Sequence, residues 1–264
     1  MKKLKKYLYF FIIIIISAGI IYQAANIAKK TVLSTSTQVI NWGTHFTQEG
    51  QKPQGNASEE YLKKFDSYFV ASTEEKIIYL TFDAGYENGY TSKILDILKE
   101  QNVSAAFFLT GHYIKTNPDL VKRMVSEGHI IGNHTMTHPD MSAITDLNTF
   151  RKELEEFETL FYETTNTSLP KFYRPPSGKF SEENLNFAKS LGYKTIFWSV
   201  AYGDWDNNNQ PTAQAAFDKL IPRIHPGAIV LLHCTSKTNS EILSELLTKY
   251  KDMGYSFHTL NELE

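Results

Sequence analysis

Five polar residues of the kind used in hydrolytic catalysis each stand at or just past the end of an apolar run. These runs have the length and composition of buried β-strands. In an α/β fold, polar residues at the carboxyl ends of several strands converge on one face, where catalytic groups collect. Five residues of compatible chemistry therefore indicate one active site rather than five unrelated loop positions. They are Asp83, His134, Arg174, Asp204 and His233.

A second histidine, His138, follows His134 at a spacing of four. On a helical turn this spacing directs both imidazoles to the same side, which suits a borderline metal ion such as zinc. The alternative is an ordinary pair of surface or capping histidines. Two imidazoles do not complete a coordination sphere, so a third ligand is expected.

The other residues of the set fit acid–base chemistry. His233 ends a very apolar strand, and we interpret it as a general acid oriented by Asp204, with a core histidine bonded to the backbone as the alternative. Arg174 precedes two prolines that fix its backbone, so we expect it to hold Asp83 charged by a charge-assisted hydrogen bond. Taken alone, Asp83 fits a helix N-cap equally well. The histidines without such context are interpreted as structural: His45, His112, His129, His225 and His258.

From residue 76 onward, predicted strands and helices alternate. The strands are predicted at residues 77–82, 103–109, 129–132, 171–174, 194–200, 228–233 and 255–259. The helices are predicted at residues 91–100 and 146–162, and from near residues 117, 181, 211 and 239. This alternation is typical of an α/β fold with parallel strands, either a barrel or an open doubly wound sheet. No glycine-rich phosphate fingerprint follows the first strand, which argues against a nucleotide ligand and favours a barrel.

The first 30 residues contain six lysines, no acidic residue, and an apolar run at residues 7–22. A basic flank before an apolar core predicts a segment directed into a membrane, either an uncleaved anchor or a cleaved signal peptide. We assign residues 1–28 to this segment, residues 29–75 to a polar extracytoplasmic arm, and residues 76–264 to the catalytic domain. Both alternatives place the domain outside the cytoplasm, membrane-anchored or secreted.

The composition of the remaining chain limits its partners. Residues 31–264 contain 21 basic and 29 acidic residues, and phosphate binding needs a basic surface, so no nucleic-acid partner is expected. Cys234 is the single cysteine, so the fold has no internal disulfide. Within the arm, Trp42 is expected to dock on the domain, because an unpacked tryptophan is costly.

The ordered motifs resemble those of polysaccharide deacetylases, the NodB-homology group or carbohydrate esterase family 4. Residues 81–85 read T-F-D-A-G, similar to the family's T-F-D-D-G, and residues 134–138 read H-T-M-T-H, similar to H-(S/T)-x-x-H. Residues 174–178 (R-P-P-S-G), 204–205 (D-W) and 231–233 (L-L-H) resemble R-x-P-x-G, the end of D-x-x-D-W, and L-x-H. The resemblance covers residues 76–264. It implies a distorted (β/α) barrel that removes acetyl groups from glycans with a divalent metal, zinc first, with manganese, cobalt and magnesium as alternatives.

The same resemblance implies roles for individual residues. His134 and His138 would hold the metal, Asp83 would take a proton from water, and His233 would protonate the departing amine. Arg174 and Asp204 would orient the base and the acid. The implied substrate pocket has the Ser177 backbone N–H for the oxyanion, and Trp205 and Leu231 around the acetyl methyl group.

Two positions depart from the family pattern. Ala84 replaces the second aspartate of the first motif, which is normally a metal ligand, and a methyl group cannot coordinate. The leading aspartate of the fourth motif is also absent, with Ala201 near that place. The third protein ligand is therefore open between a water molecule, Asp83 itself and Glu87.

The residues around the motifs resemble the N-acetylmuramic acid deacetylases within this family. These residues are 41–43 (N-W-G), 82–90 (F-D-A-G-Y-E-N-G-Y), 130–134 (I-I-G-N-H) and 197–201 (F-W-S-V-A). The resemblance implies that the substrate is the glycan strand of peptidoglycan, on the route to the muramic δ-lactam of spore cortex. The alternatives are deacetylation of N-acetylglucosamine in peptidoglycan or of another polysaccharide, and an inactive surface protein that binds glycan.

Overall fold

The structure is a computed structural model that describes residues 36–263. The predicted membrane-directed segment at residues 1–28 lies outside the described residues, as does the start of the predicted arm. Among the residues that are described, no helix is long and apolar enough to cross a bilayer. One compact unit begins at Gln38 and includes everything that follows.

A sheet of eight parallel strands forms the centre of this unit. In chain order the strands of residues 36–263 are β1 (Ile40–Asn41), β2 (Thr44–His45), β3 (Gln54–Gly55), β4 (Ser67–Tyr68), β5 (Ile77–Ala84), β6 (Ala106–Leu109), β7 (Ile130–Asn133), β8 (Phe172–Tyr173), β9 (Lys179–Phe180), β10 (Lys194–Ile196), β11 (Ala228–His233) and β12 (Ser256–Phe257). The central sheet has the order β11-β5-β6-β7-β8-β10-β4, and β12 also pairs with β5. Two isolated bridges link β11 to the other end of the sheet. Val70, just after β4, bridges Ala228, and Val200, after β10, bridges Val230. The predicted parallel α/β fold is confirmed in the form of a half-barrel.

Most of the covering helices begin where a short polar side chain caps them. The helices are α1 (Glu59–Lys63), α2 (Thr91–Glu100), α3 (Gly111–Thr116), α4 (Pro118–Ser126), α5 (Leu147–Thr165), α6 (Glu182–Ser190), α7 (Ala213–Arg223) and α8 (Lys237–Asp252). A side-chain oxygen accepts the third helical amide N–H at six of these starts, which satisfies a donor that has no partner within the helix. The six capping residues are Ser58, Thr110, Asp146, Ser181, Thr212 and Ser236.

Strand β5 carries polar side chains at its carboxyl end, on one of its two faces. All eight of its residues are buried, so both of its faces are covered. Ile78, Phe82 and Ala84 belong to the core between the sheet and the helices. Successive side chains of a strand point to opposite faces, so Thr81 and Asp83 lie on the inner face of the half-barrel. The inner face is thus apolar at the start of β5 and polar at its carboxyl end.

Residues 38–75, which the sequence assigns to an arm, pack onto this sheet. Strand β4 extends the sheet beside β10, and β1 pairs with β9 in antiparallel register. The expected docking of Trp42 is confirmed, because its side chain is 7% exposed and its indole N–H donates to the carbonyl of Trp198 at 2.9 Å. A separate hydrophobic core lies under the arm. Its members include Trp42, Leu62, Phe65, Phe69, Phe180 and Phe197.

Candidate active site

The polar residues selected from the sequence meet at the carboxyl ends of the parallel strands. Asp83 is the second-to-last residue of β5 and is the register partner of His233, the last residue of β11. His134 and Arg174 follow β7 and β8 directly, and Asp204 lies in the loop after β10. The sheet topology therefore brings together five residues that are separated by up to 150 positions in the chain.

Asp83 forms a buried ion pair with Arg174. The Arg174 Nη1 donates to Asp83 Oδ1 at 2.7 Å, and the guanidinium is fully buried. Burial alone would raise the pKa of Asp83, but the positive charge of Arg174, followed by the nearby histidines, outweighs it and lowers this pKa below its ordinary value. Asp83 is therefore a carboxylate at neutral pH, and its second oxygen, Oδ2, is not taken by Arg174.

The remaining contacts of Arg174 fix its position. Its other N–H groups donate to Thr81 Oγ1 at 3.0 Å and to the carbonyls of Ile196 at 3.0 Å and Phe197 at 3.3 Å. The guanidinium also lies over the Phe108 ring, 4.1 Å from its centroid. Because four separate partners hold it, Arg174 presents a fixed charge beneath Asp83.

His134 and His138 are both in the neutral form that can bind a metal. His134 Nδ1 lies 2.8 Å from the carbonyl of Arg174, which can only accept a hydrogen bond, so Nδ1 carries the proton and Nε2 has a free lone pair. Burial lowers the pKa of His134 to about 4, although Asp83 opposes this. His138 is more exposed, and desolvation still lowers its pKa. The two rings lie 4.9 Å apart between centroids, and His134 Nε2 is 3.6 Å from Asp83 Oδ2.

The helical turn predicted for residues 134–138 is wrong. Thr135 and His138 have φ angles of 71° and 58°, which a right-handed helix excludes. Side chains hold the loop instead: Asn133 Oδ1 accepts the Thr135 N–H, and Thr135 Oγ1 accepts the His138 N–H, each at 2.9 Å. These two hydrogen bonds, and not a helical period, bring the imidazoles together.

The structure removes Glu87 from the candidates for a third ligand and shows where Ala84 lies. Ala84 is 1% exposed and packs with the core under the helices, on the face of β5 opposite Asp83. The Glu87 carboxylate accepts hydrogen bonds from the N–H of Gly89 at 2.7 Å, from the N–H and the hydroxyl of Thr91, and from the Tyr113 hydroxyl at 3.1 Å. The hydrogen-bonding capacity of the Glu87 carboxylate is thus used at the start of α2. The described residues contain no group of three or more His, Cys, Asp or Glu side chains arranged to hold a metal. The donors that fit a metal are the two neutral imidazoles, and Asp83 Oδ2, the other protein candidate for a third ligand, lies 3.6 Å from His134 Nε2.

We expect Glu87→Gln to lower stability and to leave metal affinity unchanged. A glutamine has one acceptor oxygen where the carboxylate serves four donors, and an unsatisfied buried donor costs about 1–3 kcal/mol. Thermal unfolding and zinc titration calorimetry of the same preparation measure both effects. Glu100→Gln, at the exposed end of α2, is the matched control and should change neither quantity. Weaker zinc binding at unchanged thermal stability would instead make Glu87 a ligand.

His233 and Asp204 form a second charged pair. His233 Nδ1 donates to Asp204 Oδ1 at 2.8 Å, while Asp204 Oδ2 accepts the His233 backbone N–H at 2.8 Å and the Asn239 amide at 2.6 Å. Burial by itself lowers the pKa of His233, but the negative charge of Asp204, with Asp83 behind it, outweighs burial and raises this pKa above 6.5. The hydrogen bond at Nδ1 leaves Nε2 as the atom that can give a proton to a ligand.

Two clefts meet at these side chains. Both are lined by Asp83, His134, His138, Trp205 and His233. The first cleft, of about 370 Å³, continues past Gly85, Tyr86, Thr110, His112, Met136, Thr137 and Thr235. The second, of about 590 Å³, continues past Ser177, Gly178, Trp198, Ala201, Tyr202 and Leu231. A ligand in either cleft therefore contacts the same acid–base residues.

The pocket residues selected from the sequence take different places. Ser177 and the buried Leu231 line the second cleft only. Trp205 is 67% exposed and stands at the edge shared by both clefts, so it is an open rim and not a closed wall. His112, interpreted as structural from the sequence, is exposed and lines the first cleft. Its position three residues after the end of β6 is the signal that could have identified it.

Comparisons with known proteins agree with this geometry. A family model described as polysaccharide deacetylase matches residues 71–196. The peptidoglycan-N-acetylmuramic acid deacetylase PdaA of Bacillus subtilis is 45% identical over 225 residues, which cover 85% of each chain. The solved structure of Bacillus subtilis PdaA, a family 4 carbohydrate esterase, aligns with a TM-score of 0.82 and 44% identity over 86% of this chain and 97% of that chain.

A family 4 pseudoenzyme from Bacillus anthracis is also similar, with a TM-score of 0.69 and 32% identity over 75% of this chain and 68% of that chain. Its similarity shows that the fold occurs without activity, so the assignment of an activity depends on the site residues. The family itself does not depend on them, because the match to PdaA extends over most of both sequences. This chain belongs to the polysaccharide deacetylase family, carbohydrate esterase family 4.

Proposed function

We propose that this chain hydrolyses N-acetyl groups on the glycan strands of peptidoglycan, with N-acetylmuramic acid as the sugar that is deacetylated. The observation that carries the proposal is the pairing of Asp83 with His233 across β5 and β11 at the junction of two clefts. One of these groups is a carboxylate, and the other is a histidine whose pKa is raised above its ordinary value. Amide hydrolysis needs both, a base for the water and an acid for the leaving amine. The choice of sugar is supported by the similarity to PdaA.

In this mechanism Asp83 is the general base. Its low pKa keeps it ionised, and the bond from Arg174 to Oδ1 leaves Oδ2 to accept the proton of the attacking water. His233 is the general acid. Its protonated Nε2 donates to the amine nitrogen as the C–N bond breaks, while Asp204 holds the ring through Nδ1. The proton taken by Asp83 and the proton given by His233 together balance the hydrolysis.

His134 and His138 are the residues that would hold a divalent metal. When bound, such an ion lowers the pKa of water and polarises the acetyl carbonyl. We propose zinc, which neutral imidazoles suit, with manganese, cobalt and magnesium as alternatives. The chain's own contribution to the oxyanion is the backbone N–H of Ser177, an exposed residue of the second cleft. Leu231 and Trp205 border the space for the acetyl methyl group.

We also propose an extracytoplasmic location on the cell-wall side, with residues 1–28 as anchor or signal and residues 76–264 as the catalytic domain. The basic, then apolar, N-terminal sequence supports this location. A role in forming the muramic δ-lactam of spore cortex belongs to the same proposal. It is supported by the similarity to PdaA, whose name specifies N-acetylmuramic acid.

Mass spectrometry of digested muropeptides tests the proposal. Full-length protein is incubated with zinc and two forms of peptidoglycan, one intact and one whose peptides have been removed by an amidase. We expect free acetate, loss of one acetyl group from muramic acid, and further loss of water where the lactam closes. Acetyl loss from glucosamine alone would show that the substrate is the other amino sugar.

A second candidate is an inactive protein that binds surface glycan. Ala84 favours this candidate, because the family motif has a metal-binding aspartate at that position. The similarity to a pseudoenzyme also favours it. The two candidates differ in the same experiment. Retention of the protein on peptidoglycan without acetate release, with zinc, manganese, cobalt or magnesium added, would establish the inactive candidate.

A further inference from the structure

The arm before residue 71 touches the turn that carries Ser177. Strand β1 pairs with β9 immediately after this turn, with Asn41 opposite Lys179. The next residue, Trp42, donates its backbone N–H to the carbonyl of Gly178 at 2.9 Å. The family model begins at residue 71, so these contacts come from outside the matched part of the chain.

The turn has a conformation that its own residues do not favour. Ser177 and Gly178 both lie in the left-handed region, with φ angles of 56° and 65°. Glycine adopts this region freely, but a serine there is strained unless its surroundings hold it. Within the turn, the Gly178 N–H donates to the Pro175 carbonyl at 3.0 Å, and the Lys179 N–H donates to the Pro176 carbonyl. Contacts from outside the turn are therefore needed to fix it.

Trp42 supplies such contacts from one side and Trp198 from the other. A Cβ atom placed on Gly178 would lie 3.0 Å from the Trp42 Cβ and 2.8 Å from the Trp198 ring, so the backbone is enclosed between the two residues. The Trp42 ring is anchored by its bond to the Trp198 carbonyl and by the rings of Phe69 and Phe197, at centroid distances of 4.9 and 4.8 Å. Trp42 thus joins the turn to the core under the arm.

The turn faces the second cleft. Ser177, Gly178 and Trp198 all line it, whereas Trp42 is buried behind them and lines neither cleft. The Ser177 backbone N–H has no acceptor among residues 36–263, so it is available to a ligand. Its direction depends on two backbone conformations that Trp42 helps to hold.

We infer that Trp42 is a positioning residue that holds the Ser177 N–H in the direction needed by the reaction. The inference rests on the proposed function, because it assigns to this N–H the oxyanion of amide hydrolysis. Donors of this kind act through preorganisation, and a displacement of about 1 Å can cost about 100-fold in rate. The arm is accordingly part of the catalytic apparatus, although it has no residue in the cleft.

The first test measures the turn without any substrate. Hydrogen–deuterium exchange of full-length Trp42→Ala, followed by mass spectrometry, should be faster than in the unmodified protein in peptides containing Gly178 and Lys179. Phe65→Ala is the matched control, since Phe65 belongs to the same core but its ring contact is with Tyr61, at 5.2 Å. The control should exchange at the unmodified rate in these peptides. Equal exchange in Trp42→Ala and the unmodified protein overturns the inference.

The second test measures acetate release under the same conditions. Trp42→Ala should lower kcat by about 10- to 100-fold relative to Phe65→Ala, with KM within about twofold, because an oxyanion donor acts on the transition state. Trp42→Phe keeps an aromatic ring but lacks the indole N–H, so its kcat should lie in between. If Trp42→Ala does not fold, the kcat and KM of Trp42→Phe are compared with those of Phe65→Ala instead.

These outcomes separate the two proposals. Faster exchange in the turn with an unchanged kcat, or equal losses of kcat in the Trp42 and Phe65 variants, rejects the positioning role. Absence of acetate release from the unmodified protein rejects the deacetylase proposal, and with it any catalytic role for Trp42. In that case, the exchange measurement still decides whether Trp42 holds the turn.

Discussion

Asp83→Asn is expected to reduce kcat for acetate release by about 10²- to 10⁴-fold, the usual contribution of a general base. The asparagine has nearly the shape of the aspartate, and its oxygen can still accept from Arg174, so the cleft should keep its form. Its amide, however, cannot take a proton from water. The loss should therefore appear in kcat far more than in KM.

The same substitution is expected to lower stability, because it leaves a fully buried guanidinium without a counter-charge. Removing one partner of a buried ion pair costs about 3–5 kcal/mol, and the retained hydrogen bond places this variant at the lower end. The pH dependence follows from the pKa of Asp83, which is lowered in the folded state. Its contribution to stability is present above the unfolded-state pKa and is lost as the pH falls through the folded-state pKa. The variant should lack this loss.

Urea unfolding at several pH values and acetate assays measure these effects. Asp140→Asn is the matched control, because Asp140 also accepts from a basic residue, Lys179, at 2.8 Å, but the Asp140 and Lys179 side chains are 43% and 40% exposed. An exposed pair contributes about 0–1 kcal/mol, so stability should change little and kcat not at all. An Asp83→Asn enzyme with normal kcat would place the base elsewhere.

His233→Ala should also lose about 10²- to 10⁴-fold in kcat, and the loss should depend on the leaving group. An amine must be protonated to leave, whereas a phenolate leaves without a proton. An aryl acetate ester should therefore be hydrolysed by His233→Ala with a much smaller loss than the amide, while Asp83→Asn should lose both activities. His258→Ala is the control, since His258 also pairs with a carboxylate, Glu262 at 2.8 Å, and lines neither cleft.

The pH profile tests the pair of His233 and Asp204 directly. The acid must be protonated, so kcat should fall as the pH rises through the raised pKa of His233. In Asp204→Asn the carboxylate that raises this pKa is removed, while burial continues to lower it. The alkaline limb of the kcat profile should therefore move to lower pH. A limb at the same pH in both proteins would show that another group controls it.

The strands that carry these residues were predictable from sequence because their signals are local. The predicted bounds of β11 and of α2 agree with the observed ones, because a continuous apolar run and a helical period are visible in the chain itself. The capping residues Ser181, Thr212 and Ser236 stand within a few positions of the predicted helix starts. Polar groups at strand ends then follow from the parallel topology.

The parts that the sequence missed depend on contacts between distant residues or on unusual backbone. The residue types at positions 135 and 138 do not predict a left-handed backbone conformation. This conformation of Thr135 and His138 is held by side-chain hydrogen bonds inside the loop. The arm has the composition of a linker, and its partner Trp198 is 156 positions away from Trp42. Glu87 is a candidate metal ligand because it is close to Asp83 in sequence. The structure shows that its carboxylate oxygens already accept hydrogen bonds from Gly89, Thr91 and Tyr113.

The pairing of Asp83 with His233 in the β5–β11 register has a consequence for how such enzymes diverge. Adjacent strands lie about 4.8 Å apart, and a shift of one residue would turn one side chain to the opposite face. Insertions and deletions are therefore expected to be excluded from these two strands during evolution. Tyr86 and Trp205 are exposed side chains outside the strands, so new glycan preferences can arise at these two positions while the distance between base and acid is inherited unchanged.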